Sequence, residues 1–195
     1  LTSLRDFQAW GNEFGGEIPS GIGNLTNLTS FDCTNCQLVG EIPSEIGNLT
    51  NMFLIDLWGN DLTGEIPASI SGLTNLDFLN LNNNNLTGEI PSEIGSLTSL
   101  QGLRLNDNYL GGTIPAGICD LNLNWSEPWI SNISNNNFCP PYPSCIADYM
   151  GDQRCYTYVP DDNFEQALID LGYDDVLDDS VMTVNISGVT ELDVG

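Results

Sequence analysis

The sequence predicts a solenoid of the α/β class, a right-handed stack of short coils that share one core. One observation is a 24-residue unit that occurs five times, and another is a set of apolar residues that return at the same places in every unit. A third is a Gly-x-Ile-Pro segment at a constant place in each unit. Because one such unit cannot bury its own apolar face, neighbouring units must stack. The units, numbered coils 1 to 5, begin at Leu1, Leu25, Leu49, Leu73 and Leu97.

Apolar residues occupy positions 1, 4, 7, 9, 14, 18 and 22 of each coil. This spacing follows neither the two-residue period of a strand nor the 3.6-residue period of a helix for long. It indicates instead a chain that turns its apolar side inward once per coil. In coil 4 these positions are Leu73, Leu76, Leu79, Leu81, Leu86, Ile90 and Ile94.

Three further positions predict how each coil bends. Position 12 is Asn in every coil except coil 2, which has Cys36. A buried Asn at a bend can bond to backbone groups of adjacent coils, so a ladder of Asn side chains is expected. The Gly at position 16 permits close approach of the backbone, and the Pro at position 19 suits a turn that needs no N–H donor.

The pattern L-x-x-L-x-L-x-x-N-x-L-x-G-x-I-P resembles the plant-type extracellular leucine-rich repeat, found in receptor ectodomains and polygalacturonase inhibitors. The resemblance covers residues 1 to about 120 and recurs in all five coils. It implies a horseshoe with a parallel sheet on its concave side. It also implies a binding scaffold that carries out no catalysis.

Composition limits the partners and the chemistry. The 195 residues include 3 Lys and Arg, 27 Asp and Glu and no His, which gives a formal charge of −24. This charge disfavours binding to nucleic acid, and the sequence has no apolar run long enough to predict membrane insertion. Without His, the commonest general base and metal ligand is missing. No catalytic residue, metal site or cofactor is therefore predicted; a glycosidase with paired carboxylates is the disfavoured alternative.

The regular coils are predicted to end near residue 120, and residues 121–155 to form an irregular sixth coil and a cysteine-rich cap. In this segment Ile133, Asn136 and Phe138 keep the spacing of positions 9, 12 and 14. Four cysteines are predicted to staple the cap, which favours a secreted or cell-surface protein. Of the three possible pairings, Cys119–Cys139 with Cys145–Cys155 is favoured. The four cysteines are Cys119, Cys139, Cys145 and Cys155.

Cys33 and Cys36 occupy the inward positions 9 and 12 of coil 2. We predict that they are buried, unpaired core residues, with a local disulfide as the alternative. A redox or zinc site is the least favoured interpretation, because no second CxxC and no His accompany the pair.

Residues 156–195 are predicted to start a following module, with a helical cap and a first strand in the closing "LDVG". This segment resembles the N-terminal cap of leucine-rich repeat modules in secreted bacterial surface proteins. Its helix has an apolar face of Phe164, Leu168 and Leu171. The uncapped coil beginning at Leu1 and this cap are both incomplete, so the tail is expected to cover its own solenoid or a second copy. An acidic run is predicted to be a solvated loop, with calcium binding as the alternative; it contains Asp174, Asp175, Asp178 and Asp179.

The variable positions of the coils predict the binding surface. Side chains at positions 6, 8, 10, 11 and 13 are expected to point away from the core on the concave side. Aromatic rings mixed with amides and carboxylates suit a peptide or a polysaccharide. The expected function is extracellular recognition of protein or polysaccharide, with ice binding or an adhesive spacer as alternatives. The candidate ligand-binding residues are Gln8, Trp10, Asp32, Asp56, Trp58, Phe78, Asn80, Asn82, Arg104, Asn106 and Tyr109.

Position 17 forms a second, nearly constant column. It is Glu in coils 1 to 4 and Thr113 in coil 5. We predict a solvated outer face, with a cation-dependent surface as the alternative. The glutamates are Glu17, Glu41, Glu65 and Glu89.

Overall fold

The structure, a computed structural model, describes residues 2–158, 162–174 and 180–182. Short strands and 3-10 helices alternate along the coils, and one α-helix, α1, spans Asp162–Asp170. The strands are β1 Asp6–Gln8, β2 Ser30–Asp32, β3 Val39–Glu41, β4 Leu54–Asp56, β5 Asp61–Thr63, β6 Phe78–Asn80, β7 Gly102–Arg104, β8 Gly111–Gly112, β9 Asn137–Phe138, β10 Tyr156–Tyr158 and β11 Ser180–Met182. The 3-10 helices are Ser20–Asn24, Ser44–Asn48, Ala68–Gly72, Ser92–Ser96, Ala116–Asp120 and Ala147–Tyr149.

A five-stranded parallel sheet confirms the predicted solenoid. Its order is β1-β2-β4-β6-β7, one strand from each coil, and each strand pairs with the next at the same position of the repeat. Ile55, for example, lies opposite Leu79, which in turn lies opposite Leu103. Each strand covers positions 6 to 8, so its middle residue faces the core and its outer two face away. Leu81 and Leu105 are buried, as predicted.

The Gly-x-Ile-Pro segments form the opposite side of the coils. Each regular 3-10 helix follows the Pro of this segment, whose φ is near −65°. The helix is followed by a Leu whose backbone N–H donates to the carbonyl of the Ile three residues earlier. The Ile side chains of these helices are buried against the back of the sheet. Proline thus starts each helix and the next coil's first Leu closes it.

A ladder of Asn side chains joins the coils inside the bend, as predicted. Oδ1 of Asn60 accepts the backbone N–H groups of Cys36 and Leu38, both at 3.0 Å. Its Nδ2 donates to the carbonyl oxygens of Cys33 and Leu57 at 2.8 and 2.9 Å. Three further buried residues repeat this pattern in the later coils, so one amide satisfies backbone groups of two coils at once. They are Asn84, Asn108 and Asn136.

Cys33 and Cys36 form a disulfide inside coil 2, so the prediction of unpaired core cysteines is wrong. Both residues are buried, and their α carbons are 5.5 Å apart. In the other coils the Asn at position 12 donates to the carbonyl at position 9, which shows how closely the bend brings these positions together. Two cysteines placed there are within disulfide distance.

The sixth coil continues the solenoid and is covered by the cap. Asn132 pairs with Arg104, and β9 pairs in parallel with β8. The side chains of Ile133, Asn136 and Phe138 are buried, as their spacing predicted. The Tyr142 hydroxyl donates to the Phe138 carbonyl at 3.1 Å, and burial raises the pKa of that hydroxyl.

The disulfides of the cap are Cys119–Cys145 and Cys139–Cys155, so the favoured pairing was wrong. Arg154 donates its backbone N–H to the Asn136 carbonyl, and this places the following cysteine beside the one after β9. The segment 140–145 instead returns to the helix Ala116–Asp120, where Cys119 lies. Because the chain takes this path across the end of the solenoid, the two disulfides interleave along the sequence.

The tail has its own small apolar cluster, in which Leu168 of α1 packs with Val181 of β11, and Tyr173 packs against both. Strand β11 pairs with β10 in an antiparallel arrangement that the sequence did not predict. Helix α1 confirms the predicted helix, but Leu171 is exposed rather than on a buried face. Other predictions concern parts outside the described residues. They are Leu1 at the start of the chain and, in the tail, the side chain of Phe164, Asp175, Asp178, Asp179 and the strand at 192–195.

Candidate functional site

The candidate site is the concave surface of the parallel sheet, here called the floor. Because successive strands are in register, residues at the same position of the repeat form columns that run across the coils. Positions 6, 8 and 10 lie on one face, since residues two apart in a strand share a face. In coils 1 to 5 the columns are Asp6, Ser30, Leu54, Phe78 and Gly102; Gln8, Asp32, Asp56, Asn80 and Arg104; and Trp10, Thr34, Trp58, Asn82 and Asn106.

Aromatic side chains provide the apolar part of the floor. Trp10 is 68% exposed and Trp58 is 40% exposed, two coils apart in the same column. Phe78 is partly exposed, and its ring lies over Gly102 of the next coil. Large exposed rings on a rigid sheet are the side chains that most often anchor a bound protein segment.

Asp56 holds the floor together around Trp58. Its Oδ1 accepts three hydrogen bonds, from the Thr34 hydroxyl at 3.0 Å, the Trp58 backbone N–H at 3.1 Å and the Asn80 amide at 3.0 Å. Asp32 likewise accepts the N–H of Thr34 at 3.1 Å. The sequence interpretation treated these acids only as ligand contacts, but each also fixes the backbone two residues later, as in an Asx-turn.

Three predicted contact residues are buried: Asn80, Asn82 and Asn106 are no more than 7% exposed. The prediction that they face solvent is therefore wrong. The short side chain of Asn82 lies between Trp58 and Asn106 in the position-10 column. The side chain of Asn80 is held by its hydrogen bond to Asp56. Oδ1 of Asn82 and Oδ1 of Asn106 have no hydrogen-bond partner in the described part of the chain.

Arg104 is the basic residue of the floor. Its backbone pairs with Asn80 on one side and with Asn132 of the sixth coil on the other. The guanidinium is partly exposed, and its Nε is buried without a partner among the residues that the structure describes. In a chain of net charge −24, this is a place where the floor can accept an anionic or hydrogen-bond-accepting group.

The structure separates two predicted residues from the centre of the floor. Gln8 is exposed on the edge strand β1. Tyr109 lies at position 13, beyond the strands, on the loop edge of coil 5, and its backbone N–H donates to the Leu86 carbonyl. Neither residue borders Trp58.

Two exposed aromatic residues beside the floor were missed by the sequence interpretation. Phe53 and Trp129 each directly precede the outward residue of position 6 or its equivalent, and Trp129 is 67% exposed. Position 5 was not assigned to the outward face, so neither residue was counted as a candidate. The signal was the spacing of Ile133 and Asn136, which places Trp129 at position 5 of the sixth coil, as Phe53 is in coil 3.

Within the described ranges, no helix combines the length and the apolar character that crossing a membrane requires. The same ranges hold no group of three acidic or cysteine side chains placed to bind a metal ion.

Comparison with known proteins gives consistent matches. The family described as "Leucine-rich repeat region" matches residues 19–113. Among solved structures, the ectodomain of the receptor kinase GASSHO1/SCHENGEN3 from Arabidopsis thaliana, in complex with CASPARIAN STRIP INTEGRITY FACTOR 2, is 37% identical over 70% of this chain, with a TM-score of 0.63. The Arabidopsis receptor kinase HAESA ectodomain, in complex with an IDA peptide hormone ligand, is 34% identical over 77% of this chain, with a TM-score of 0.71. No match was found among curated proteins.

The chain spans only part of most of these relatives. It covers 16% of the GASSHO1/SCHENGEN3 chain and 26% of the HAESA chain. A chain in the BIR3–SERK2 complex of Arabidopsis thaliana is of similar size: it is 33% identical, the match covers 71% of this chain and 72% of that one, and the TM-score is 0.58.

Proposed function

The chain belongs to the plant-type extracellular leucine-rich repeat family, and from that premise we propose that it binds a peptide segment of a protein ligand on the floor of its concave sheet. It acts as a non-catalytic recognition module outside the cell. The observation that carries this proposal is the pair of exposed rings, Trp10 and Trp58, on a sheet whose Asp56 holds Trp58 in place.

The relatives support a peptide as the ligand. The HAESA ectodomain is described in complex with a peptide hormone, and PEPR1 is described with AtPEP1. Similar ectodomains that carry ligands on the same scaffold make a peptide the first class to test here. The whole-protein activities of those receptors are not transferred, because this chain spans a small part of their length.

The chemistry of the floor suits an extended peptide. Trp58 and Phe78 offer apolar faces, and Asp32, Asp56 and Arg104 offer groups that can bond to backbone amides and to charged side chains. Because the sheet is parallel and rigidly paired, these groups are preorganised, which lowers the entropy cost of binding.

A polysaccharide on the same floor is less favoured. Sugars are recognised mainly through their hydroxyl groups, and the amides of Asn80, Asn82 and Asn106 are buried rather than available for them. The extracellular location and the disulfides are compatible with either ligand.

Ice binding is a second candidate, favoured by one observation. The threonine at position 2 is exposed in all five coils, which makes an ungapped column. A thermal-hysteresis assay of the full chain tests it, and no depression of the freezing point would exclude it. An adhesive spacer role would leave both the floor and this column without a ligand. The column comprises Thr2, Thr26, Thr50, Thr74 and Thr98.

We further propose that residues 156–195 begin a following module. The support is the separate cluster of Leu168 and Val181 and the antiparallel strand pair, neither of which continues the coil pattern. Sedimentation of the full chain and of a version ending at Cys155 tests whether this segment also promotes self-association. Concentration-dependent association of the full chain alone would support self-association through this segment. Monomeric behaviour of both versions would contradict it.

The test of the main proposal is selection of a displayed random peptide library on the full chain. Enriched peptides should compete with one another, since they share the floor, and should lose binding to the variant Trp58→Ala. Failure to enrich any peptide, or enrichment of peptides that bind the variant equally well, would contradict the proposed function.

A further inference from the structure

A polar groove follows the loop edge of the sheet, outside the floor. It lies where coils 2 to 4 leave their strands and turn toward the Asn ladder, and its volume is about 370 Å³. Every residue that lines this edge groove is polar or Gly, in contrast to the aromatic floor. The lining residues are Asn35, Gln37, Gly59, Asn60, Asp61, Asn83, Asn84 and Asn85.

The backbone along the edge groove takes a left-handed conformation at one position of each coil. Asn35, Gly59 and Asn83, at position 11 of successive coils, have φ values of 51°, 69° and 56°. This left-handed turn is one that Gly and Asn tolerate better than other residues. The Asn35 side chain crosses Gly59, and its Cγ would lie 3.1 Å from a β carbon at residue 59. A side chain at residue 59 would therefore displace that of Asn35.

The groove has two kinds of amide. Those of Asn60 and Asn84 belong to the ladder, are buried and already bond to the backbone, so they form a fixed wall. The side chains of Gln37, Asp61 and Asn83 are exposed, and they form no hydrogen bond with the residues that the structure describes. The partly exposed Asn85 side chain is also unbonded in this sense and lies between Asp61 and Tyr109 in the position-13 column.

The exposed groups can bond in both directions. Each amide offers two N–H donors and one carbonyl acceptor, and Asp61 adds a carboxylate acceptor. A hydroxyl group is both a donor and an acceptor, so neighbouring hydroxyls of a sugar ring can each bond to such a row. A hydrocarbon ligand would leave these polar groups unpaired.

An aromatic residue continues the position-13 column one coil beyond the edge groove. Tyr109 follows Asn85 in the position-13 column and is 48% exposed. An exposed ring beside a row of amides can stack on the apolar face of a pyranose. From coil 2 to coil 5 the column crosses three strand spacings, about 14 Å, which is the length of a short oligosaccharide.

From these observations we propose that the edge groove is a second binding site, which takes a neutral oligosaccharide. The formal charge of −24 repels polyanionic chains such as uronates or sulfated glycans. The site is separate from the floor and does not depend on the peptide proposal.

The test uses the full chain and an array of neutral gluco-, manno- and xylo-oligosaccharides, followed by titration of the best binder. Asn83→Gly removes an amide from the groove while tolerating the positive φ, and Tyr109→Ala removes the ring. Asn24→Ala is the matched control, because Asn24 is an exposed amide in a 3-10 helix on another side of the coil. Trp58→Ala tests the floor.

We expect at least a tenfold loss of affinity in Asn83→Gly and in Tyr109→Ala, and less than a twofold change in the other two variants. Thermal unfolding verifies that each variant is folded; if Asn83→Gly is not, Tyr109→Ala decides. Three results would overturn the proposal: no oligosaccharide bound, binding unchanged in the groove variants, or binding lost only in Trp58→Ala. The last would place sugar on the floor, and none of the three bears on whether peptides bind there.

Discussion

The ring of Phe78 lies over the α carbon of Gly102 in the next coil, and its Cε2 would be 2.5 Å from a β carbon at residue 102. The change Gly102→Ala should therefore displace the ring or the strand. Overpacking of this kind costs about 1–3 kcal/mol of stability. Urea unfolding measures the change. Gly21→Ala is the control, expected to stay within about 0.5 kcal/mol, because nothing lies near that position.

Equal stability of Gly102→Ala and Gly21→Ala would mean that Phe78 does not rest on residue 102. It would also mean that the packing on Gly102 does not fix the position of Phe78 on the floor.

The Asn ladder makes a second prediction. In Asn84→Ala the buried N–H of Leu62 loses its side-chain partner. The carbonyls of Leu57 and Leu81 lose one donor each but keep another, from Asn60 and Asn108. A buried polar group left unpaired costs about 1–3 kcal/mol, so the free energy of unfolding should fall by about that amount. Asn24→Ala, which changes an exposed amide, should alter it little. A loss below that of an ordinary surface substitution would contradict the ladder.

The crossed disulfides of the cap can be measured directly. Mass spectrometry of an unreduced proteolytic digest should find peptides that join Cys119 to Cys145 and Cys139 to Cys155. Replacing both Cys119 and Cys145 with Ala should reduce stability by about 3 kcal/mol through the freed loop. A peptide joining Cys119 to Cys139 would instead support the pairing that the sequence favoured.

The glutamate column predicts a salt dependence. Each Glu lies against the Gly of the next coil; Cγ of Glu65, for example, would be 2.7 Å from a β carbon at Gly88. Like charges on adjacent coils, about 5 Å apart, repel by roughly 1 kcal/mol in water, and salt screens this repulsion. The melting temperature should rise with NaCl, and the rise should be smaller in Glu65→Gln than in the matched variant Glu93→Gln. Equal curves would mean that solvation already removes the repulsion.

The core and the path of each coil were predictable because the same physical demand repeats every 24 residues. Leu81 must be buried wherever a coil stacks on the next, and Asn84 must bond inward wherever the chain bends. These requirements depend on residues close in sequence or one repeat apart, so they can be recognised in the repeat itself.

The details of the floor and the cap depend on neighbours that the repeat does not specify. Asn82 is buried between its column neighbours Trp58 and Asn106, although Trp58, at the same position of the repeat, is exposed. The pairing of Cys119 depends on how the irregular segment crosses the end of the solenoid. The groove beside Gly59 depends on where the Asn35 side chain lies. None of these is visible as a period in the sequence.

The most direct test of the central claim is the affinity of an enriched peptide for the wild-type chain and for Trp58→Ala. Trp58 is 40% exposed, so truncation should leave the fold intact while removing an anchor of the floor. The matched control is Tyr149→Ala, which truncates a similarly exposed ring in the cap. The account predicts a loss of about 2 kcal/mol, roughly thirtyfold in Kd, for Trp58→Ala alone. Unchanged affinity in a folded Trp58→Ala would contradict peptide recognition by the concave floor.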